Sequence, residues 1–327
     1  MKNESKAEAI LKRAATGELI TPDEAKTLMN SHVTPMSDLT RVSNEITRRR
    51  FGNKIETCAI YPAKVGMCSG DCAFCAQSAY HKSNVKIINT NDLDENEILA
   101  NAKHLYQLGV GRYSLVTSGE HLTDSEFDRI VEIFQRIKSE VDIPLCASLG
   151  SLTPERAAKL IESGVSRYHH NVETSRSYFA EICSTHSYDD KIETISIARQ
   201  SGLEVCCGGI ISMGETAAQR VEMAYEIREL DVTCIPINIL NPIPGTRLEH
   251  QELLDADAIL RTIAVFRLIL QDKPLRFAGG RSAALGPDEY LGYNAGINAT
   301  MVGNYLTTTG RTFEDEVSGL ENAGLVI

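Results

Sequence analysis

The feature that most constrains the fold is a regular alternation of short β-prone runs with amphipathic helical stretches, which extends from about residue 56 to the C-terminus. Such alternation is typical of parallel strands joined by crossover helices, and eight strand–helix units match a TIM-type barrel. We therefore predict an α/β protein built around a (βα)8 barrel. The eight predicted strands are 57–61, 112–117, 144–149, 166–172, 203–211, 233–240, 275–279 and 299–306.

Helical patterns also precede the first strand. A proline at the first position of a helix, as in Thr21-Pro22, is a typical helix start, and apolar residues before and after it recur at helical spacing. We expect an N-terminal helical extension, residues 1–50, followed by the barrel domain, residues 51–327. A doubly wound open sheet is the alternative, but no glycine-rich dinucleotide-binding pattern follows the first strand. The predicted barrel helices are 95–108, 125–140, 154–162, 188–200, 216–230, 257–270 and 313–323.

The predicted strands have one apolar and one polar face, because alternate residues of a strand point to opposite sides. A lumen packed only for stability carries branched apolar residues, so a polar lumen predicts a cavity that holds a ligand. A shift of one residue in register would exchange the two faces. The apolar set comprises Leu145, Val172, Val205, Ile235, Ile237, Ile239, Leu275 and Phe277. The polar set comprises Ser114, Ser118, Cys146, Ser148, His169, Asn171, Glu173, Cys206, Asn238 and Arg276.

The charge balance and the cysteine content limit the class of protein. The chain has 33 Lys and Arg against 44 Asp and Glu, a net charge of −11, which argues against nucleic acid or an anionic membrane as a partner. No apolar run reaches about 18 residues and no signal peptide is recognisable, so we expect a soluble cytoplasmic protein. Nine cysteines are an odd number in such a chain, which favours reduced thiols or metal ligands over disulfides.

Three cysteines lie close together in the loop after the first predicted strand, where the active sites of such barrels are built. Cys68, Cys72 and Cys75 have the spacing CxxxCxxC. Three thiolates can bind three irons of a four-iron cluster and leave the fourth iron open to another ligand. A zinc knuckle is the alternative, but zinc prefers four ligands and no paired Cys-x-x-Cys follows nearby.

This motif, with an aromatic residue before its third cysteine, resembles that of the radical S-adenosylmethionine superfamily. Within the superfamily, the chain from about residue 40 to its end is similar to the biotin synthases. The segments that carry this likeness are 168–175, 205–216, 235–238, 244–246 and 275–281.

The resemblance implies a sulfurtransferase that uses S-adenosylmethionine bound to a [4Fe–4S] cluster. Cleavage of the cofactor yields 5′-deoxyadenosyl radicals, which remove two hydrogen atoms from dethiobiotin. Sulfur from an auxiliary iron–sulfur cluster, [2Fe–2S] or a larger variant, then closes the ring of biotin. The resemblance also implies a homodimer and an electron donor such as flavodoxin or ferredoxin.

The resemblance assigns roles to individual residues around the cofactor and the substrate. It implies that Cys68, Cys72 and Cys75 bind the [4Fe–4S] cluster. Asn171 and Asn238 match residues that hold the ureido ring of dethiobiotin, since an amide offers both a donor and an acceptor. It further assigns Ser118, Glu120 and Glu173 to the binding of S-adenosylmethionine. It assigns His169, Thr307 and Thr308 to the binding of the substrate. For most of these residues the alternative is a structural role, such as ending a strand.

The auxiliary cluster is where the chain departs from the family pattern. Cys146 and Cys206 match two of its thiolate ligands, and Arg276 matches an arginine ligand. Ser114 stands where the best-known enzymes have a third cysteine, and serine is a weaker ligand for iron. We therefore expect Cys183 to supply the third thiolate in an altered cluster. Cys207, Cys58 and Cys234 are expected to be buried structural thiols.

Two other classes of function remain open from the sequence. One is a different radical S-adenosylmethionine enzyme acting on a small molecule, similar to methylornithine synthase or to a hydrogenase maturase. The other is a non-catalytic iron–sulfur carrier, which would form no deoxyadenosine from S-adenosylmethionine and a reductant.

Overall fold

The protein folds around a single parallel sheet. A computed structural model describes the backbone of residues 2–327 and the side chains from residue 6 onward. Hydrogen bonding connects the strands in the order β5-β4-β3-β2-β1-β9-β8-β7-β6, and every pair is parallel. The strands are β1 Glu56–Lys64, β2 Tyr113–Thr117, β3 Leu145–Ser148, β4 Val165–His169, β5 Glu204–Cys206, β6 Gly209–Ile211, β7 Ile235–Ile239, β8 Leu275–Phe277 and β9 Ala299–Val302.

The two strands at the ends of this order, β5 and β6, are halves of one segment, so the sheet closes on itself. Gly208 separates them, and a Cβ at that position would lie 1.8 Å from the carbonyl oxygen of Pro236. The amide of Cys207 donates to the carbonyl oxygen of Cys234, which joins this segment to the next strand. The predicted strand 203–211 is therefore one interrupted strand, and the predicted (βα)8 barrel is confirmed.

The helices that cover the barrel begin and end close to their predicted positions, because their ends carry strong signals. Thr123 forms a capping box with Glu126 at the start of the helix after β2, and Thr153 caps the helix after β3. The helices are α1 Lys2–Ala15, α2 Pro22–Leu28, α3 Met36–Phe51, α4 Glu95–Leu108, α5 Asp124–Glu140, α6 Pro154–Glu162, α7 Arg176–Ile182, α8 Tyr188–Gln200, α9 Ala217–Glu229, α10 Ala256–Ile269, α11 Arg281–Leu285, α12 Leu291–Ala295 and α13 Phe313–Asn322.

The first three helices pack on the outside of the barrel, against α9, α10 and α12. Arg261 of α10 is buried and donates from Nη1 to the carbonyl oxygens of Leu28 and Thr34. Tyr225 of α9 donates its hydroxyl to the carbonyl oxygen of Ile20. We propose that residues 1–50 form a helical extension of the barrel domain, residues 51–327, because these contacts join the extension to the outer helices.

Charged side chains fill the floor of the barrel, at the amino ends of the strands. Glu204 accepts from Nε of Arg167 at 2.8 Å and lies 3.0 Å from Nη2 of Arg112. Arg167 lines both the cavity above this floor and a second cavity below it. Among the described residues, no helix is long and apolar enough to cross a membrane.

Candidate active site

A cavity of ≈ 390 Å³ occupies the lumen and opens at the carboxyl ends of the strands. A second cavity of ≈ 560 Å³ lies at the opposite end, beside Lys54 and Phe313. Barrel enzymes place their chemistry at the carboxyl end, so we take the lumen cavity as the candidate active site. From the predicted polar face it is lined by Ser114, Cys146, Ser148, His169, Asn171, Glu173, Cys206, Asn238 and Arg276.

The loop that carries the three cysteines is shaped by its own backbone hydrogen bonds. The amide of Cys68 donates to the carbonyl oxygen of Gln77, and the amide of Cys75 donates to the carbonyl oxygen of Cys72. The amide of Gly70 donates to the sulfur of Cys68 at 3.4 Å. All three thiols are half-buried, and Cys75 lines the lumen cavity. Three half-buried thiols on one loop, with its backbone fixed by these hydrogen bonds, suit the loop to hold a metal cluster at the mouth of the barrel.

Asp71, in the middle of the cysteine loop, ties that loop to the segment after α7. Its carboxylate accepts from the backbone and the hydroxyl of both Ser184 and Thr185, at distances from 2.5 to 3.1 Å. Burial works against ionisation, but these hydrogen bonds prevail and hold the pKa of Asp71 well below its usual range. The loop is thus fixed by an anion that keeps its charge at neutral pH.

The structure places Cys183 beside the cysteine loop and not with the deep lumen thiols. Its sulfur lies 3.8 Å from the sulfur of Cys72 and 3.4 Å from Nδ1 of His186. The hydrogen bond with Cys72 is the main cause of a pKa for Cys183 lowered to about 4. Cys183 is absent from the lining of the lumen cavity, which contains Cys146 and Cys206. The sequence carries no measure of how far a loop reaches, so its position was not predictable.

The residues expected around S-adenosylmethionine divide into two groups. Glu173 lines the cavity, and its backbone has the unusual φ of 68°, which turns the chain at the end of the fourth barrel strand. Ser118 and Glu120 do not line the cavity. Ser118 is buried and donates its hydroxyl to the carbonyl oxygen of Gly66, next to the cysteine loop. Its observed role is to hold that loop against the end of β2.

Asn171 and Asn238 both face the lumen, and both also bind the backbone. Asn171 accepts from the amide of Gly208 at 3.1 Å, and its Nδ2 lies 3.4 Å from the carboxylate of Glu173. Asn238 accepts from the amide of Gly279 at 2.9 Å and donates to the carbonyl oxygen of Gly209 at 3.3 Å. An amide has two donors and two acceptor positions, so each side chain keeps one of each for a ligand.

The remaining predicted substrate residues also reach the cavity. Thr307 and Thr308 line it from the loop after β9. His169 lines it from β4, and burial is the main reason why its pKa is lowered, so the imidazole is neutral at neutral pH. The structure therefore brings together the predicted substrate residues His169, Asn171, Asn238, Thr307 and Thr308 around one space.

The bottom of the cavity contains the expected cluster residues and one that was not expected. Cys146, Cys206 and Arg276 line it together, as predicted, and Cys58 lines it as well. The alternation of β1 could have indicated Cys58, because it lies two residues before Ile60, which is paired with Ser114 and also faces the cavity. Burial is the main cause of the raised pKa of the Cys58 and Cys146 thiols.

Two further cysteines lie next to this group. Cys234 is the parallel bridge partner of Cys206, so the two side chains share a face. The hydrogen bond with Cys234 is the main reason why the pKa of Cys206 is lowered. Cys207 points the other way and is part of the apolar core, as predicted from alternation.

The side chains fit the groups that the sequence implies at both places. At the mouth, three thiols on one loop match a cluster with an open iron site. At the bottom, Nε and Nη2 of the buried Arg276 have no partner among the described residues, which indicates a missing anion beside the thiols. A (βα)8 barrel with these two thiol sites is the architecture of a radical S-adenosylmethionine enzyme. Family models agree: "Radical SAM superfamily" matches residues 65–227, and "Biotin and Thiamin Synthesis associated domain" matches residues 236–326.

Similar proteins identify the family within that superfamily. A biotin synthase of Acetivibrio thermocellus is 47% identical over 311 residues, which covers 95% of this chain and 96% of the relative. A biotin synthase of Carboxydothermus hydrogenoformans is 44% identical and covers 98% of each chain. The chain belongs to the biotin synthase family.

Solved structures support the fold. Methylornithine synthase superposes with a TM-score of 0.83 at 19% identity, covering 97% of this chain and 96% of the other. An [FeFe]-hydrogenase maturase superposes with a TM-score of 0.82 at 18% identity, covering 98% of this chain and 76% of the other. Identities this low show a shared fold alone. The family membership does not favour either of these activities for the chain, nor a non-catalytic carrier.

Proposed function

We propose that this chain inserts a sulfur atom between two unactivated carbons of dethiobiotin and so forms biotin. The observation that carries the proposal is the extent of one cavity, which is lined by Cys75 at its mouth and by Cys146 and Cys206 at its bottom. A substrate between these ends has the site of hydrogen abstraction on one side and the source of sulfur on the other. No diffusion of a reactive intermediate is then required.

The family membership brings three cofactors: a [4Fe–4S] cluster, S-adenosylmethionine and an auxiliary iron–sulfur cluster. Together they supply deoxyadenosyl radicals and a sulfur atom. In the overall reaction two C–H bonds are replaced by two C–S bonds, and each hydrogen atom leaves on a deoxyadenosine. The protein supplies position and exclusion of water, while the cofactors supply the chemistry.

The residues between the two ends are proposed to hold the substrate. Asn171 and Asn238 face the same space and each keeps a free donor and a free acceptor, which suits a urea group that needs both. Thr307 and Thr308 offer hydroxyl donors for the substrate carboxylate at the open end of the cavity. His169, neutral and half-buried, completes the wall.

The cofactor is proposed to lie between the cysteine loop and the fourth barrel strand. Cys68, Cys72 and Cys75 would hold the cluster, and Glu173 would accept from the ribose hydroxyls. Ser118 and Glu120 would act from outside the cavity, since Ser118 fixes the carbonyl of Gly66 near the loop. A cofactor held in this way would supply its radical next to the cavity and away from solvent.

We also propose a cytoplasmic location, an electron donor and an oligomeric state for this enzyme. The nine cysteines are all free, as expected in the cytoplasm. A one-electron donor such as flavodoxin or ferredoxin would approach the exposed side chains Met67 and Tyr80, which belong to the segment containing the cysteine loop. We propose a homodimer on the basis of the resemblance alone.

The test is an anaerobic incubation of the reconstituted enzyme with dethiobiotin, S-adenosylmethionine and a reductant. We expect biotin and deoxyadenosine to form together, and we expect Cys68→Ala to abolish both. Deoxyadenosine without biotin would overturn the proposed substrate. No deoxyadenosine at all, in protein shown to contain iron, would overturn the proposed enzyme class.

A further inference from the structure

The deep end of the cavity is ringed by side chains from alternate barrel strands. Counting β5 and β6 as one strand, Cys58, Cys146, Cys206 and Arg276 stand on barrel strands one, three, five and seven. Side chains in a barrel lumen form layers of four that come from alternate strands. These four residues therefore form one layer, in which three of the members are cysteines.

A fourth thiol joins this layer from the next strand. Cys234 precedes β7 and does not line the cavity itself, but it is paired with Cys206, so the two side chains share a face, and its thiol is hydrogen-bonded to that of Cys206. Cys206 and Cys234 are 3% and 0% exposed, respectively, and Cys58 and Cys146 are both 7% exposed. The four thiols are thus enclosed within the barrel and shielded from solvent.

The charge of the surroundings indicates that an anion belongs among these thiols. Arg276 is 5% exposed, and only its Nη1 has a contact, 3.5 Å from the sulfur of Cys206. Its Nε and Nη2 are unpartnered within the described part of the chain, and so is Nη1 of the buried Arg167. A buried guanidinium without an anion is costly, so thiolates bound to a metal cluster would complete the site.

The four lumen thiols are not arranged as the ligands of a single small ion. In residues 6–327, whose side chains are described, the only three candidate ligands within 4.8 Å of one another are Cys72, Cys183 and His186. No three of the four lumen sulfur atoms are that close. The thiolates of a multi-iron cluster bind different irons and do not all have to lie this close together, so the arrangement is compatible with a cluster.

We propose that Cys58, Cys146, Cys206 and Cys234 are the protein ligands of the auxiliary cluster, with Arg276 as a hydrogen-bond donor beside it. This assignment rests on the proposed function and replaces the expectation for Cys183. It also explains why a serine can occupy position 114. Because β1 pairs with β2, Cys58 can supply from the neighbouring strand the thiol that Ser114 lacks. A guanidinium stays protonated, which makes Arg276 a better counter-charge than iron ligand.

The test uses a background variant in which Cys68, Cys72 and Cys75 are all replaced by alanine, so that any bound iron belongs to the lumen. After anaerobic reconstitution, iron, acid-labile sulfide and the electron paramagnetic resonance spectrum are measured. We expect this variant to retain a cluster. We expect Cys58→Ser and Cys234→Ser, each added to it, to lose at least half of the iron or to change the spectrum.

Two matched controls use cysteines that are also buried. The first is Cys207→Ser, since Cys207 is next to Cys206 but on the opposite face of the strand. The second is Cys183→Ser, since Cys183 lies at the mouth of the barrel. Both should keep the iron of the background variant. Circular dichroism of each apoprotein verifies the fold.

The ligand assignment is overturned if Cys58→Ser and Cys234→Ser bind iron as the background does, or if Cys183→Ser loses it. The measurement needs no substrate, so it is independent of the proposed function. Cluster loss in the two lumen variants supports the assignment even if the wild-type enzyme forms no biotin.

Discussion

Nη1 of Arg276 lies 3.5 Å from the sulfur of Cys206, and both side chains are buried at the bottom of the barrel lumen. The contact joins barrel strands five and seven across the cavity. It places a positive charge against a thiol that we propose as a ligand of the auxiliary cluster. The electrostatics of that cluster would therefore depend on this arginine.

Arg276→Met removes that charge with little change in side-chain volume. A nearby cation favours the more reduced and more negative state of a cluster, so the variant should have a more negative reduction potential. The reduction potential is measured by spectroelectrochemical titration, with Arg276→Met introduced into the background that lacks the three loop cysteines. Arg276→Lys, which keeps the charge, should stay closer to the original potential. An unchanged potential in Arg276→Met would show that the guanidinium does not act on a cluster.

Cys75→Ala should distinguish the function of the cavity mouth from that of the cavity bottom. The change removes one of the three loop thiols and leaves the lumen thiols intact. Formation of deoxyadenosine should fall below detection, while the iron and sulfide of the lumen site remain. Loss of all iron from a folded variant would contradict the separation into two sites.

Asn238→Ala should weaken substrate binding without stopping cleavage of the cofactor. The lost hydrogen bonds to a buried ureido group correspond to about 1–3 kcal/mol, so KM for dethiobiotin should rise by about 5- to 150-fold. The side chain also holds the amide of Gly279, so the thermal midpoint has to be compared in parallel. An unchanged KM in a stable variant would assign Asn238 to the backbone contact alone.

Asp71→Asn should destabilise the cysteine loop in a pH-dependent way. The lowered pKa of Asp71 means that its stabilisation is present above the ordinary pKa of an aspartate and is lost as the pH falls through the lowered value. Urea unfolding of the apoproteins should therefore show a constant difference of about 1–3 kcal/mol between pH 5 and 8, which shrinks below about pH 4. A difference that grows on acidification would contradict this sign.

Arg281→Met should destabilise the barrel next to the loop after β9, which carries Thr307 and Thr308. Arg281 lies 2.7 Å from the carboxylate of Glu316 and 3.0 Å from the hydroxyl of Tyr293, and all three are buried. Loss of one partner leaves a buried carboxylate unpaired, at a cost of about 3–5 kcal/mol in the free energy of unfolding. Denaturant unfolding measures it. The exposed pair Lys159 and Asp128 is the control, since Lys159→Met should cost less than about 1 kcal/mol.

Much of the fold was predictable because its signals are local. Helix α4 has the predicted bounds, since Asp94 caps its start and Gly109 takes the left-handed conformation at its end. Helix α7 was not predicted. It has only seven residues, and its N-cap Ser175 makes no side-chain capping bond, so little in the local sequence marks it.

The site was predictable where alternation along one strand decides it, and not where loops meet. The lumen positions of Cys146, Cys206 and Arg276 follow from strand alternation and agree with the structure. Cys183 is placed by the packing of the segment after α7 on the cysteine loop, which involves residues more than 100 positions apart. Cys58 was predicted to be a buried structural thiol, because no residue of the first strand was assigned to either face.

The most direct test of sulfur transfer within this cavity is a single turnover with enzyme reconstituted from isotopically heavy sulfide. The labelled enzyme is incubated anaerobically with dethiobiotin, S-adenosylmethionine and a reductant, and the biotin is analysed by mass spectrometry. We predict that the biotin carries the heavy sulfur and that its amount falls when Cys58 or Cys206 is replaced by serine. Biotin without the label, or labelled biotin at an undiminished amount from both variants, would contradict the account.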